Sequence, residues 1–480
     1  MWRSNSRAGS LRWVMAVTCV VGACVSGCGD GASSAADAGT DGGTGSDAST
    51  LDGGAPDTGA TDAGATDTGA TDTGAQDGGG ALDAAHDAGE QTDAGAATDA
   101  APDAESDVGV DAGTSLLDQD GDGWTPADGD CCDAVGACAE PAMVNPGAYE
   151  FPGNGVDDDC DASTLDNAAP TTCSTAAQFE PIGPLDVMRA MELCQYTSES
   201  PPLAQRRWGV VSASLHLADG SGVPTGSQVG VMTAYGPNVT PHAGATFAAL
   251  SSGTARAPSD PGYVAPQNGS QPGQEGNYDA QTMVSAPAAY LSANGGALPA
   301  STCAPTCAGP SCTQAYDSVA LTVRIRVPTN ARSFSYRMKF YTAEFPEFAC
   351  STYEDRFVTL LSSAAAGLPT DGNIAIDSQL APMTVNNGFV QVCFPPVAAP
   401  PGTCPSGTLE LVGTGMGGWG STLTDGAGTE WLTNTAPVVP GETITLTFAI
   451  WDAGDHNVDS IVLLDRFRWS DQPASVTMSK

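Results

Sequence analysis

Carboxylates at alternate positions interleaved with glycine can wrap a backbone around a hard cation. The chain carries such a run at Asp118-Gln119-Asp120-Gly121-Asp122-Gly123-Trp124. Oxygens at positions 1, 3 and 5 would come from Asp118, Asp120 and Asp122, and position 7 would offer the Trp124 backbone carbonyl. The pattern then departs from a helix-flanked calcium loop. Gly129 stands where a bidentate Glu belongs and Pro126 interrupts an exiting helix, which leaves Asp128 and Asp130 as substitutes. A second cluster, Asn154-Gly155-Val156-Asp157-Asp158-Asp159-Cys160-Asp161, sets like charges side by side, where they repel unless a cation neutralises them. Hard oxygen ligands without histidine favour Ca2+ over zinc or copper. The competing reading is an acidic, turn-rich linker stapled by disulfides that binds nothing specific.

Between the clusters lie Gly129-Asp130-Cys131-Cys132-Asp133 and Asn145-Pro146-Gly147-Ala148-Tyr149-Glu150. Together, residues 118–166 resemble the metal-binding repeat of secreted and surface proteins of Gram-negative bacteria. That pattern runs from Asp-Gly-Asp-Gly through Gly-Asp-Cys and Pro-Gly-Ala-x-Glu to Asn-Gly-x-Asp-Asp-Asp-Cys-Asp. The resemblance implies Asp118, Asp120, Asp122, Asp130, Asp157 and Asp159 as ligands. Cys132 and Cys138 are additions to it, so four cysteines with three possible pairings stand in this segment.

The elements that precede the segment concern location. Arg3, Arg7 and Arg12 come before an apolar stretch from Trp13 to Val25, too short to span a bilayer permanently, so residues 1–27 read as a secretory signal. Val25-Ser26-Gly27-Cys28 resembles the lipobox of bacterial lipoproteins, which implies lipidation of Cys28; Val21-Gly22-Ala23-Cys24 is a weaker candidate. Acyl chains anchor at about 0.8 kcal/mol per buried methylene. Gly29 and Asp30 leave inner and outer membrane both open, with the outer favoured. Residues 28–117 form a tether of Asp, Ala, Gly and Thr. Residues 29–118 hold 20 acids and no Lys or Arg, so the tether is expected to stay disordered and extended, spanning roughly 50 Å or more. A calcium-condensing polyanion is its alternative role.

Overall, 56 Asp and Glu against 16 Lys and Arg give a net charge of -40, which argues against nucleic acid as a partner. The excess is local. Residues 167–480 carry 24 acids and 13 bases, an ordinary globular balance. Of 15 cysteines, 12 remain once Cys19 and Cys24 leave with the signal and Cys28 is lipidated. An even number fits oxidation outside the cytoplasm. Cys303, Cys307 and Cys312 have no neighbouring histidine, so disulfides suit them better than zinc.

From residue 167 the hydrophobic pattern is globular. Pro184 opens a short helix with Val187, Ala190, Met191 and Cys194 on one face. Period two then dominates: Val211, Ala213, Leu215 and Leu217; Val319, Leu321, Val323, Ile325 and Val327; Phe334, Tyr336, Met338 and Phe340. Further strands are expected at 356–361, 373–377, 389–394, 442–451 and 460–469. The fold class is mainly β: an antiparallel β-sandwich or jelly roll with one short helix, preceded by the small disulfide-rich metal-binding segment and the disordered acidic tether. Residues 251–315 read as a long loop insertion.

Seven runs in this region carry a further resemblance. They are Asn330-Ala331-Arg332-Ser333-Phe334-Ser335-Tyr336, Thr342-Ala343-Glu344-Phe345-Pro346-Glu347-Phe348, Tyr353-Glu354-Asp355-Arg356-Phe357, Asn373-Ile374-Ala375, Thr429-Glu430-Trp431-Leu432, Pro440-Gly441-Glu442-Thr443 and the run from Trp451 to Ser460. They resemble the choice-of-anchor L domain over roughly residues 170–470. The resemblance implies a surface or secreted β module without an established catalytic activity.

Three constellations remain in the β region. Asp452, Asp455, His456 and Asp459 fall on one loop and Glu344, Glu347 and Asp355 on another, and the two could converge on one calcium or simply cap turns and pair with Arg466 or Arg468. Arg324, Arg326, Arg337 and Lys339 form a basic stripe on two consecutive strands, which requires an acidic cover. Trp419 and Trp431 flank glycine-rich turns, where they suit sugar stacking or, more commonly, core packing. No nucleophile elbow, zincin motif or phosphate loop occurs, and the four histidines, His86, His216, His242 and His456, sit beside no marked nucleophile. The chain thus reads as a non-enzymatic, lipid-anchored surface protein whose calcium-stabilised sandwich binds a glycan or protein ligand. A secreted hydrolase of polysaccharide or peptide and a structural envelope component are the alternatives, and the sequence leaves oligomeric state open.

Overall fold

The computed structural model describes residues 116–164, 166, 173, 176–266, 279–301, 303, 310–393, 404–416 and 426–480. The expected signal, Cys28 and the tether up to residue 115 lie outside the described residues, as do Cys307 and Trp419.

Among the described residues the strands are, in chain order, β1 (Gly209–His216), β2 (Val229–Met232), β3 (Phe247–Ser251), β4 (Met283–Ser285), β5 (Gln314–Arg326), β6 (Ser333–Thr342), β7 (Arg356–Ser362), β8 (Val390–Cys393), β9 (Ala427–Thr429), β10 (Leu432–Pro437), β11 (Thr443–Asp452), β12 (Ser460–Ser470) and β13 (Thr477–Ser479). Two antiparallel sheets result. One is ordered β1-β5-β11-β7 with β4 added to β5; the other is ordered β13-β10-β6-β12-β3-β2, with β9 joined to β6 and β8 to β9.

The period-two residues explain why the sheets face each other. Val319, Leu321, Val323 and Ile325 of β5 and Ile444, Leu446, Phe448 and Ile450 of β11 share one core with Phe334, Tyr336, Met338 and Phe340 of β6. The Tyr336 and Phe448 rings meet edge to face across that core at 5.2 Å. Central strands bury their second faces too. Ala320, Ala449 and Trp451 lie beneath Tyr290 of α2 (Ala288–Ala293), while Phe247, Tyr341 and Leu463 pack with Trp431 on the opposite outer side. Trp431 is therefore a core residue.

Helix α1 (Pro184–Ala190) forms where expected. Proline suits its first turn, the Asp186 carboxylate accepts the Gly183 N–H at 2.9 Å, and Val187, Met188 and Ala190 are buried in the common core. Residues 251–315 are more than a loop insertion, since they contain β4, α2 and the start of β5. Residues 373–377 do not form a strand. The Asn373 side-chain oxygen accepts the N–H groups of Thr359 and Ala375, replacing a ladder with local bonds, and only isolated bridges remain.

The basic stripe is likewise corrected. The link from Pro328 to Arg332 passes from one sheet to the other, so β5 and β6 are not neighbours. Arg324 pairs with Glu199, and Arg326 donates to the carbonyl oxygens of Ser198 and Glu199 at 3.1 and 2.8 Å. Arg337 lies opposite Asp465 of β12. Lys339 is fully buried with its ammonium 2.5 Å from Glu410, and burial lowers its pKa.

Candidate metal centre

Gly121 and Gly123 adopt φ of 83° and 96°, and their N–H groups both donate to Asp118, at 2.6 and 3.0 Å. Asp120 accepts the Asp122 N–H and Asp122 accepts the Trp124 N–H. The chain thus curls around its own carboxylates, and Asp118, Asp120 and Asp122 each bring an oxygen within 4.8 Å of the others. Asp120 belongs to a second set of the same tightness with Asp130 and Asp133.

Two oxygens in this pocket are buried without a hydrogen-bond partner, Oδ2 of Asp120 and Oδ2 of Asp130. No salt bridge reaches any of these five acids among the described residues. Burial, then the neighbouring carboxylates, raises Asp120 and Asp130 above the ordinary range and pushes Asp122 up to about 6. Asp128 does not join them. It lies in the Pro126–Asp128 turn that Thr125 caps, its carboxylate taking the Thr125 hydroxyl at 2.7 Å. The Trp124 indole is buried under Gly147, where an added Cβ would sit 2.8 Å from the ring.

Asp157 and Asp159 converge elsewhere, with Glu150. Glu150 accepts the Asp158 N–H at 2.7 Å, and burial pushes it up to about 7. The disulfide Cys131–Cys160 ties this second set to the first, and Cys132–Cys138 closes the other pairing that was open. Asp133 and Glu150 were not singled out as ligands in the sequence. Their only signal was position, directly after Gly-Asp-Cys-Cys and at the end of Pro-Gly-Ala-Tyr-Glu.

The segment is seated on the β sheets through the link between β5 and β6. Asn145 donates to Asp122 at 2.8 Å and accepts the Thr329 hydroxyl at 2.7 Å. Tyr149 and Asn330 exchange two bonds, at 2.9 and 2.8 Å, and the Tyr149 ring stands edge-on to Trp208 at 5.3 Å.

In the β region, Glu344, Asp355, Asp452 and Asp459 are all buried. The Asp355 N–H donates to Glu344 at 3.0 Å and the Ser460 hydroxyl to Asp355 at 2.6 Å, whereas neither oxygen of Asp459 has a hydrogen-bond partner among the described residues. Burial and mutual repulsion raise all four well above the carboxylate range. Glu347 is exposed, and Asp455 caps its own turn through the Asn457 N–H. Arg466 and Arg468 make no ion pair with these acids among the described residues. Among the described residues, Cys173–Cys194, Cys303–Cys350 and Cys393–Cys404 are further disulfides of the β region.

The stretch from just before β5 into β12 matches the family model described as the choice-of-anchor L domain. The similarity to the choice-of-anchor L domain spans residues 309–467. The match begins later than the residue 170 expected from the sequence, and leaves β1 to β4 outside although they extend both sheets. The domain marks the protein as an exported, surface-associated β protein. No curated protein and no solved structure matches the chain.

Proposed function

We propose that this protein is a lipid-anchored envelope protein that presents its choice-of-anchor L domain at the cell surface for binding, with calcium in the Asp118–Asp133 pocket fixing the Cys-rich segment against the sheets. The observation that carries this reading is the pair of buried, unpartnered oxygens on Asp120 and Asp130, inside five carboxylates that form no ion pair among the described residues. An unpaired buried charge is unfavourable, and a divalent cation with oxygen ligands removes both penalties at once. Asp118, Asp120, Asp122, Asp130 and Asp133 would hold it; the bound ion would supply positive charge and rigidity. Asn145 then carries the pocket's order to Thr329 at the turn between the two sheets.

Anchoring rests on Cys28 and its preceding apolar stretch. Attachment through the tether would leave the β domain clear of the membrane and free to meet a glycan or protein ligand. The test is a glycan, cell-wall and envelope-protein binding screen of residues 118–480 with calcium and with chelator, alongside fatty-acid labelling of the whole chain. Saturable binding that chelator removes, with label lost in C28S, supports the reading. Turnover of a sugar or peptide without retained binding overturns it.

A further inference from the structure

Another group lies apart from the Cys-rich pocket and has different chemistry. Asp279, Asp317 and His456 each offer one ligand atom, all within 4.8 Å of one another. His456 Nδ1 stands 3.2 Å from Asp317 Oδ2 and 3.4 Å from Asp279 Oδ1. Asp317 is fully buried, Asp279 exposed and His456 between them, so the group opens from the protein interior to solvent.

The backbone is shaped to deliver Asp317 there. Within β5 it takes φ of 46°, a left-handed conformation uncommon outside glycine, and the register between β5 and β11 slips at the same level, between Ile450 and Asp452. Gln228 donates to the Asp317 carbonyl at 2.5 Å, and the Thr282 N–H donates to Oδ1 at 3.0 Å. That fixes one carboxylate oxygen and leaves Oδ2 directed at the imidazole. The Tyr316 ring holds His456 edge-on at 4.5 Å.

A second observation points to a ligand. Oδ2 of fully buried Asp317, which points into the group, has no satisfied hydrogen bond among the described residues, and the nearby buried Asp459 adds to the negative field there. One imidazole faces two carboxylates, so a single His+ would still leave the group negative. We infer that Asp279, Asp317 and His456 form a second cation site, selective for a borderline transition-metal dication such as Zn2+ and distinct from the calcium pocket. Imidazole nitrogen with two carboxylates suits zinc, whereas calcium takes oxygen alone. Three protein ligands leave a position for water.

The test is calorimetric titration of Zn2+ into the calcium-saturated full chain, repeated with H456Q, D279N and H216Q. The expected result is one saturable zinc site, weakened about tenfold or more in H456Q and D279N and unchanged in H216Q, with calcium binding intact in all three. Asp279 is exposed, so D279N is expected to fold even if H456Q does not. Substituting Co2+ should give a visible absorption band that H456Q removes. Absence of a saturable zinc site, or zinc binding indifferent to both H456Q and D279N, overturns the inference. So does parallel loss of calcium, which would make these residues part of the other pocket.

Discussion

Asn145 joins Asp122 to Thr329: its amide donates to the Asp122 carboxylate at 2.8 Å, and its side-chain oxygen takes the Thr329 hydroxyl at 2.7 Å. Asn145 is fully buried, so both bonds are made away from water. Order in the acidic loop and order at the turn between the two sheets are therefore mechanically linked. N145A should destabilise the protein by about 2 kcal/mol, because it strands the partners of a buried amide. T329V should do less to stability but should loosen the docking. Limited proteolysis is expected to release the Cys-rich segment from T329V at calcium levels that protect the wild type.

Within the pocket the five acids are unequal. Asp120 belongs to both carboxylate sets, and Asp130 carries a buried, unpartnered oxygen. D120N and D130N should each weaken calcium binding about tenfold or more, equivalent to about 1.4 kcal/mol. D128N should leave it unchanged, since Asp128 serves the Thr125 cap. Equal losses in all three variants would mean the loop responds to net charge alone.

Stability should depend on pH with opposite signs in the two metal states. Without calcium, Asp122 titrates near 6 and Glu150 near 7, both above their unfolded values because of burial. The native state then binds more protons than the unfolded chain across this window, so stability falls as pH rises from about 4 to 7. Calcium competes with those protons. Its binding should release protons and weaken as pH drops below about 6. Asp465, pushed up to about 6 by burial that outweighs the His242 and Ala243 N–H groups donating to it, lies outside the pocket. Its share of the pH dependence should persist when calcium is present. Thermal melts from pH 4.5 to 8, with calcium and with chelator, check all three signs.

The ion pair between buried Lys339 and partly exposed Glu410 gives a prediction independent of metal. Truncating one partner should be worse than replacing the lysine by an apolar residue of similar length. E410A leaves a buried ammonium uncompensated, for an expected loss on the order of 3 kcal/mol, whereas K339M should be close to neutral. Denaturant melts of both variants and the double variant resolve this.

Cys131–Cys160 is the covalent tie between the two acidic sets, closing a sequence separation of 29 residues. Loop-closure entropy for that length corresponds to about 3 to 4 kcal/mol. The C131S/C160S variant should melt lower and bind calcium more weakly, and the calcium dependence of its melting point should shrink.

How much was legible in the sequence varied with the range of the interaction. The alternation of Val319 to Val327 and Phe334 to Phe340 identified β5 and β6, because a strand's burial pattern is written in consecutive residues. That these strands enter different sheets was not, since Pro328 to Arg332 could have been a hairpin or a crossover. The same gap misplaced the basic stripe. Asp118, Asp120 and Asp122 were legible as a set through local spacing, but Asp133 and Glu150 join by the path of the disulfides. Asp279 and Asp317 were invisible as partners of His456, because their approach depends on β4, β5 and β11 pairing and on the left-handed residue inside β5.

The most direct test is a calcium titration of the purified, oxidised chain, read by calorimetry and by melting temperature together. Saturable binding with a rising melting temperature, both abolished in a D120N/D130N double variant and both unaffected in D128N, is the predicted result. A flat heat signal and a constant melting temperature up to millimolar calcium would contradict the proposal that a cation holds the Asp118–Asp133 pocket against the sheets.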